Sequence, residues 1–594
     1  MDNFQIVYSG WDPEEQKLRE ALCTLGNGYI ATRGAAEESK DSKNNYPGTY
    51  LAGGYNRAKS NIADKEIENE DLVNFPNWLY LNFRPESGSW LNLDECEVQD
   101  YQQVLDMESG ILSRSFVIED SEGRKSKIES RRLVSMRDMH NAALEWILTP
   151  LNWSGSIEIV SELDGNITNN GVERYRDLES RHLDVLSTQE LKDGISLTVQ
   201  TNQTQLVMAQ AARTTLFDGN HKLEVDTKTI SNKKSIAQHF FLNAKEGISV
   251  RAEKIVSIYT SRDKAISEPS LEASENIAFA PLFDQLLKRH RQAWNRLWKQ
   301  ADIQLDNGAK TQRLARLHVF HILQTASPNS VGLDIGIPAR GWHGEAYRGH
   351  IFWDELFITP FYNLRFPDIA KSLLMYRYYR LEKARHAAKE AGLRGALYPW
   401  QSGSNGREES QKIHLNPQSG NWLPDHTYLQ YHVNAAIAYN IWNYYKATGD
   451  HEFLSCFGAE IFLSIASFWG SKAEFDTDKG RYVFLQVVGP DEYHTSYPDS
   501  DQQGLNNNAY TNVFAAWVLQ MALDILDLLE NPTAERLLQR LEIDEDELLL
   551  WKDIGTKIYL PFLDGEVISQ FEGYEDLEEF PWEEYRKKYD NIQR

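Results

Sequence analysis

At 594 residues the chain is too long for one hydrophobic core, so two or more domains are expected. A 41% hydrophobic content with 16 Trp and 28 Tyr is that of a folded chain and excludes disorder. The formal net charge of −25 argues against nucleic acid and anionic membrane surfaces as partners, while leaving room for a small anion in a locally basic pocket.

Three cysteines, Cys23, Cys96 and Cys456, lie far apart without Cys/His spacing. That pattern argues against a disulfide framework and a zinc site, and suits a reducing cytoplasm. The start, MDNFQIVYSGWDPEEQK, has neither the basic start nor the apolar run of a signal peptide. No uninterrupted apolar run approaches the ~20 residues that span a bilayer.

From the start to about residue 266 the chain reads as short alternating segments broken by Gly, Asn and Asp. SRSFVIED, KSKIESRRLVSM, GSIEIVSELDG, GISLTVQTN and HKLEVDTKTI are examples. So many strands without intervening helices predict a large antiparallel β-sandwich over 1–266. Within it LGNGYIATRG, Leu25 to Gly34, reads as a structural turn feeding a strand. Over 267–310 the period changes. PLFDQLLKRHRQAWNRLWKQ places apolar residues three and four apart, which predicts a helical linker.

From 311 to 594 the pattern is helical, with stretches such as TQRLARLHVFHILQTA, HVNAAIAYNIWNYYKATGD and NAYTNVFAAWVLQMALDILDLL. Long loops rich in Gly, Pro and Trp join them, and loops of that length are more often functional than idle. Periodicity gives many helices; it does not give their arrangement.

Three of these loops carry chemistry: RGWHGEAYRGHIFWDEL (Arg340–Leu356), LYPWQSG (Leu397–Gly403) and VVGPDEYH (Val487–His494). Each sets aromatic rings beside carboxylates or turn residues, as a sugar site requires: flat faces for stacking and carboxylates for hydroxyls. In GPDE, the Gly489–Pro490 turn pushes Asp491 and Glu492 outward. Desolvation by Val488, Pro490 and Tyr493 would raise a carboxyl's pKa, as a general acid needs. Taken alone, the tetrapeptide reads as an acidic surface turn more readily than as a site. FWDE alone serves equally as a sugar grip by Trp353 and Asp354 or as a helix start with Asp354 as cap. Trp400 of YPW offers a second ring, and alone would as soon fill core. His343, His350, His414, His426 and His432 lack metal-ligand spacing and read as hydrogen-bonding residues, so no metal is expected.

Together, in this order, these stretches resemble glycoside hydrolase family 65, which holds inverting disaccharide phosphorylases and some α-glucoside hydrolases. LGNGYIATRG, LVNFPNW, LDMESGILSRSF, LMYRYYRLEKAR, HVNAAIAYNIWNYYKATGD and NNNAYTN extend the resemblance over nearly the whole chain. It implies an N-terminal β-sandwich, a helical linker, an (α/α)6 barrel and a small C-terminal β-domain. It also implies that Glu492 is the proton donor, that Trp353, Asp354 and Trp400 contact the donor sugar, and that no metal or organic cofactor is used. The implied reaction is attack of inorganic phosphate on an α-glucoside with inversion. A water-using hydrolase of the same family and a non-catalytic sugar-binding protein are the alternatives. The family usually forms homodimers.

Three departures from the family pattern stand out. Glu355 follows Asp354 directly, where one residue usually intervenes, so Glu355 takes no family role. TSYPDSDQQGL lengthens the link from GPDEYH to NNNAYTN and is expected to shape the acceptor side. The sequence stops before the family's Lys-Gln-Ala-Asp and phosphate-binding stretches. A truncated chain is therefore expected, with an incomplete barrel, no C-terminal β-domain and weak or no activity.

Overall fold

The computed structural model describes residues 3–62, 65–86, 88–306, 308–416, 420–498 and 500–588. The chain forms two compact units. The first comprises Met1–Val172, Leu178–Val331 and Arg340–Gly349; the second comprises Glu173–Asp177, Gly332–Ala339 and His350–Arg594.

The first unit is the antiparallel sandwich. Its larger sheet has ten strands: nine run in space from Gln5–Ser9 through Glu97–Asp106, Ile111–Glu119, Lys125–Val134, Asn141–Pro150, Val250–Thr260, Val207–Asp218 and Gly194–Thr201 to Leu183–Leu191, and His221–Lys222 pairs with Val207–Asp218 off this path. The smaller has four: Asp226–Ser231, Ser235–Ala244, Gly155–Asp164 and Leu81–Pro85. Lys125–Val134 shows the expected alternation, with Ser126, Ile128 and Ser130 buried between partly exposed neighbours. Asn141–Pro150 does not alternate along most of its length, because its outer face is covered too.

The helices that cover it come from the segment read as a linker. After α1 (Gln16–Leu22), α2 (Pro269–Phe279), α3 (Phe283–Ala301) and α4 (Ala309–Thr325) complete this unit's long helices. Ala273 and Ile277 of α2 and Phe283, Leu286 and Leu287 of α3 pack with Leu133, Ala143, Ala209, Ala211 and Ile255 of the large sheet. Glu268 caps α2, accepting from the backbone N–H groups of Ser270 and Leu271. The 3.6-residue apolar stripe of α3 thus has a sheet to lie on.

LGNGYIATRG is a structural turn. The Asn27 side chain accepts from the Tyr29 and Ile30 N–H groups and donates to the Ser135 and Met139 carbonyls. Gly28 has φ +82° and lies so close to Ser327 and Ser330 that a Cβ would meet their hydroxyls at 2.6 and 2.5 Å.

The second unit is helical. α5 (Glu355–Arg365), α6 (Pro367–Tyr379), α7 (Leu381–Glu390), α8 (His432–Thr448), α9 (His451–Lys472), α10 (Ala509–Leu528), α11 (Asn531–Leu541) and α12 (Glu545–Lys557) follow in order. α5, α8 and α10 form one row of neighbours; α6, α9 and α12 back them in a second row. This is the α/α arrangement, with long loops feeding the N-termini of the first row. The stretch from Phe366 to Gly392 breaks at Arg380 into two helices, and Gly449 ends α8 in the left-handed conformation. α9 and α10 are apolar and long enough to cross a membrane, as a window average shows and an uninterrupted run does not. Within the unit, 83% of the α9 window and 50% of the α10 window are buried, so packing accounts for much of that composition. Between α5, α8 and α10 runs an apolar groove of about 940 Å³, lined by Phe357, Leu364, Tyr439, Val513 and Phe514.

Candidate active site

The stretch Arg340–Leu356 divides at Gly349. Its first ten residues belong to the sandwich unit and lock into it. The buried Glu345 carboxylate accepts from the Tyr46 and Tyr50 hydroxyls at 2.8 and 2.7 Å. Trp342 donates to the Thr325 carbonyl, His343 meets His321 at 2.7 Å, and Arg348 lies 3.6 Å from Asp71. These aromatic and charged residues hold the sandwich unit together, so of the stretch only residues 350–356 belong to the helical unit.

That short segment is fixed from three sides. Ile351 and Ser402 exchange both backbone hydrogen bonds, at 2.9 and 3.0 Å, tying FWDE to YPWQSG. Glu355 is buried and its Oε2 accepts from Arg377 Nη2 at 2.8 Å, while Arg377 also donates to the Phe352 carbonyl. The residue without a family role is therefore the anchor for Asp354. Glu408 accepts from the N–H groups of Trp400, Gln401 and Ser410 and sets the loop carrying Trp400.

The structure brings Trp353 and Trp400 together, with ring centroids 6.1 Å apart. Two further rings join them. His432, the first residue of α8, lies 4.9 Å from Trp353 and 5.0 Å from Trp400. Tyr510, in the first turn of α10, lies 6.1 Å from Trp353 and 5.7 Å from His432. The N-termini of α5, α8 and α10 thus converge on one aromatic wall, and their dipoles favour negative charge there. Asp354 occupies the N-cap position of α5 but makes no side-chain capping bond, and Trp353 is half-buried rather than core. His432 is fully buried beside the Val488 backbone, yet neither ring nitrogen makes a hydrogen bond of good geometry. Burial pushes its pKa down to about 3, so the ring is neutral.

GPDE enters from the loop after α9. Before it the chain forms a short strand, Arg481–Val483. The loop is pinned by Val487 pairing with Leu505 and by Val488 N–H to the Leu429 carbonyl. Gly489 packs directly on Asn508, the N-cap of α10: a Cβ would meet its Nδ2 at 2.3 Å. Glu492 itself has φ +63°, a left-handed conformation uncommon outside glycine. Asp491 is engaged by His494 Nδ1 at 2.6 Å and by Gln570.

The carboxyl of Glu492 is raised above its ordinary pKa, first by desolvation and then by the charges of Asp425, Asp354 and Asp491. Its residue surface is open, but neighbouring protein still displaces part of the water around the carboxyl. Gln430 Nε2 donates to its Oε1 at 3.2 Å and acts the other way, favouring the ionised form. The expected desolvation is therefore present, but Tyr493 does not supply it: that ring is 91% exposed. Asp425 is the opposite case. Burial alone would raise it, yet hydrogen bonds from His414 and Thr427 hold it below the usual carboxylate range.

Two carboxyls with opposed tendencies thus lie within electrostatic reach of each other beside an aromatic wall. Among the described residues no three His, Cys, Asp or Glu side chains converge as a metal would require. Sequence reasoning brought out Glu492, Trp353, Asp354 and Trp400, all of which lie in this unit. It missed Gln430, Asp425 and Tyr510, and treated His432 as an ordinary polar residue. Gln430 lies just before α8 and His432 opens it, and no local pattern in the sequence marks either as part of a site.

Comparison with known proteins gives the family. The glycosyl hydrolase family 65 N-terminal domain matches residues 6–297 and the family's central catalytic domain matches residues 316–594. Two Mycobacterium tuberculosis strains carry an uncharacterized glycosyl hydrolase 44% identical over 593 residues; the alignment covers 100% of this chain and 45% of theirs. The chain thus spans just under half the length of those relatives. The kojibiose phosphorylase of Caldanaerobacter subterraneus is 33% identical over 585 residues, covering 95% of this chain and 72% of that protein. A putative kojibiose phosphorylase from the human microbiome superposes with a TM-score of 0.82 at 25% identity, covering 97% of this chain and 72% of its own. The chain, with its β-sandwich and helical catalytic domains, belongs to glycosyl hydrolase family 65.

Proposed function

We propose that the protein catalyses inverting phosphorolysis of an α-glucoside, releasing β-glucose 1-phosphate. Trp353 packs on the donor glucosyl ring with the buried Trp400 supporting it from behind, and Asp354 accepts from the ring's hydroxyls. Glu492 gives its proton to the glycosidic oxygen as the bond from that oxygen to the anomeric carbon breaks. A phosphate oxygen forms the new bond from the opposite face. The departing sugar leaves with the proton, and Glu492 regains one from solvent. Phosphate is already an anion and needs no base, so one acid suffices.

The observation that carries this reading is the raised carboxyl of Glu492 in the same unit as Trp353, Asp354 and Trp400. Its support from relatives is that kojibiose, trehalose and maltose phosphorylases align over most of the chain. A second reading, inverting hydrolysis, is favoured by Asp425, an ionised carboxylate near Glu492 that could activate water. Such a pair is expected to stand ~6.5–9.5 Å apart. Incubation with kojibiose, maltose or trehalose, with and without phosphate, separates the two: glucose released at equal rate without phosphate selects hydrolysis.

A further inference from the structure

We infer that the sandwich unit carries a second saccharide site, remote in the sequence from the catalytic residues. It is a cleft of about 480 Å³ whose walls include Trp11, Tyr80, Trp90, Asn45 and Asp94. That volume lies within the range of small-molecule sites. Every lining residue falls between Trp11 and Glu95, inside the first unit.

The chemistry of the walls selects the ligand class. Trp11, Tyr80 and Trp90 are each partly exposed, and three partly exposed rings around one cleft offer stacking faces. Asn45 is 9% exposed, donates its own Nδ2 to Ser42 Oγ, and leaves Oδ1 without a partner. A buried orphan acceptor needs a donor, and a sugar hydroxyl supplies one. The remaining polar groups are amides, hydroxyls and carboxylates, the mixture that meets a polyol from several sides.

Charged ligands fit less well. Asp41, Asp94 and Glu95 repel an anion, while the one lysine in the wall, Lys40, holds its ammonium 2.6 Å from Glu162. Cations are met by the protein's own: Lys40 lies over the Tyr80 ring at 4.5 Å and Arg84 over Trp90 at 4.7 Å. A neutral saccharide meets neither obstacle. Arg84, held by Glu158 at 2.6 Å, also pre-sets the Trp90 ring, so little ordering is required on binding.

The test follows one ring. The protein is labelled with 5-fluorotryptophan, and Trp11→Phe and Trp90→Phe assign the two ¹⁹F resonances by their absence. Maltose and kojibiose are then titrated without phosphate into the protein and into its Asp354→Asn variant. The expected result is a saturable shift of the Trp90 and Trp11 lines in the millimolar range, the same in both proteins. Asn45→Leu, with its fold checked by circular dichroism, should weaken that shift about fivefold, the equivalent of one hydrogen bond. Should that variant not fold, Asn45→Ser serves in its place. A Trp90 line that stays still to tens of millimolar sugar, or that moves identically when Asn45 is replaced, overturns the proposal. Since the readout is Trp90 and not turnover, failure here leaves the catalytic reading untouched.

Discussion

Glu492 concentrates the residue-scale account. Replacing it with Gln keeps shape but removes the proton, and should lower kcat by about 10²–10⁴-fold with substrate affinity retained. Because the reaction uses the protonated acid, activity falls as pH rises through its raised pKa. Neighbours then move that basic limb in opposite directions. Gln430→Ala removes a donor to the ionised form, so the pKa rises and the limb moves to higher pH. Asp425→Asn removes a negative charge that opposes ionisation, so the limb moves to lower pH. Profiles of kcat/KM against pH for the two variants check both signs, and a shift in the same direction for both contradicts the assignment.

Glu492 and its partners were unequally legible. Glu492, Trp353, Asp354 and Trp400 stand out because turn residues and aromatics crowd around them in short stretches. Gln430 and Asp425 act through space on a carboxyl 62 and 67 positions later, and no local pattern records that. His432 is hidden for another reason. Its isolation among Trp353, Trp400 and Tyr510 is a property of three helix ends, each separately unremarkable in sequence.

At the scale of elements, the anchor is the buried ion pair of Glu355 with Arg377, joining the start of α5 to α6. Glu355→Gln leaves a guanidinium buried without its charge partner, and should cost about 3–5 kcal/mol in urea unfolding. It should also impair turnover, since the backbone of Asp354 adjoins the same anchor. In the sandwich, Lys254 donates to the Tyr80 and Glu162 carbonyls in full burial, which depresses its pKa to about 7. Its unfolded value is about 10.4. Between these the unfolded chain binds more protons, so stability should rise with pH across that window. Thermal melts from neutral to mildly alkaline pH would show it, and a flat profile there would count against a buried neutral lysine.

The elements themselves were mostly readable from period alone. Alternation gives the strands, and three-four spacing gives α3, α4, α8 and α10. What period did not give is which surface each element covers. The segment from 267 to 310 has the amphipathy of a linker helix, but its stripe is buried on the large sheet. Arg340–Gly349 has the composition of a sugar site, yet its partners Tyr46, Tyr50 and Asp71 lie nearly 300 residues earlier. Long-range pairing of this kind leaves no mark in local spacing.

For the whole molecule, the family's N-terminal domain matches residues 6–297, past the change of period near 266, and its catalytic domain matches residues 316–594. At the site, three helix N-termini face the carboxylates of Asp354, Asp425 and Asp491, whose charge opposes ionisation of Glu492. The central claim is the transfer of the glucosyl group to phosphate rather than to water. The direct measurement is product analysis by ¹H NMR after the protein acts on kojibiose, maltose and trehalose, with and without inorganic phosphate. Accumulation of β-glucose 1-phosphate that requires phosphate is the predicted result. Free glucose appearing at the same rate without phosphate would contradict it.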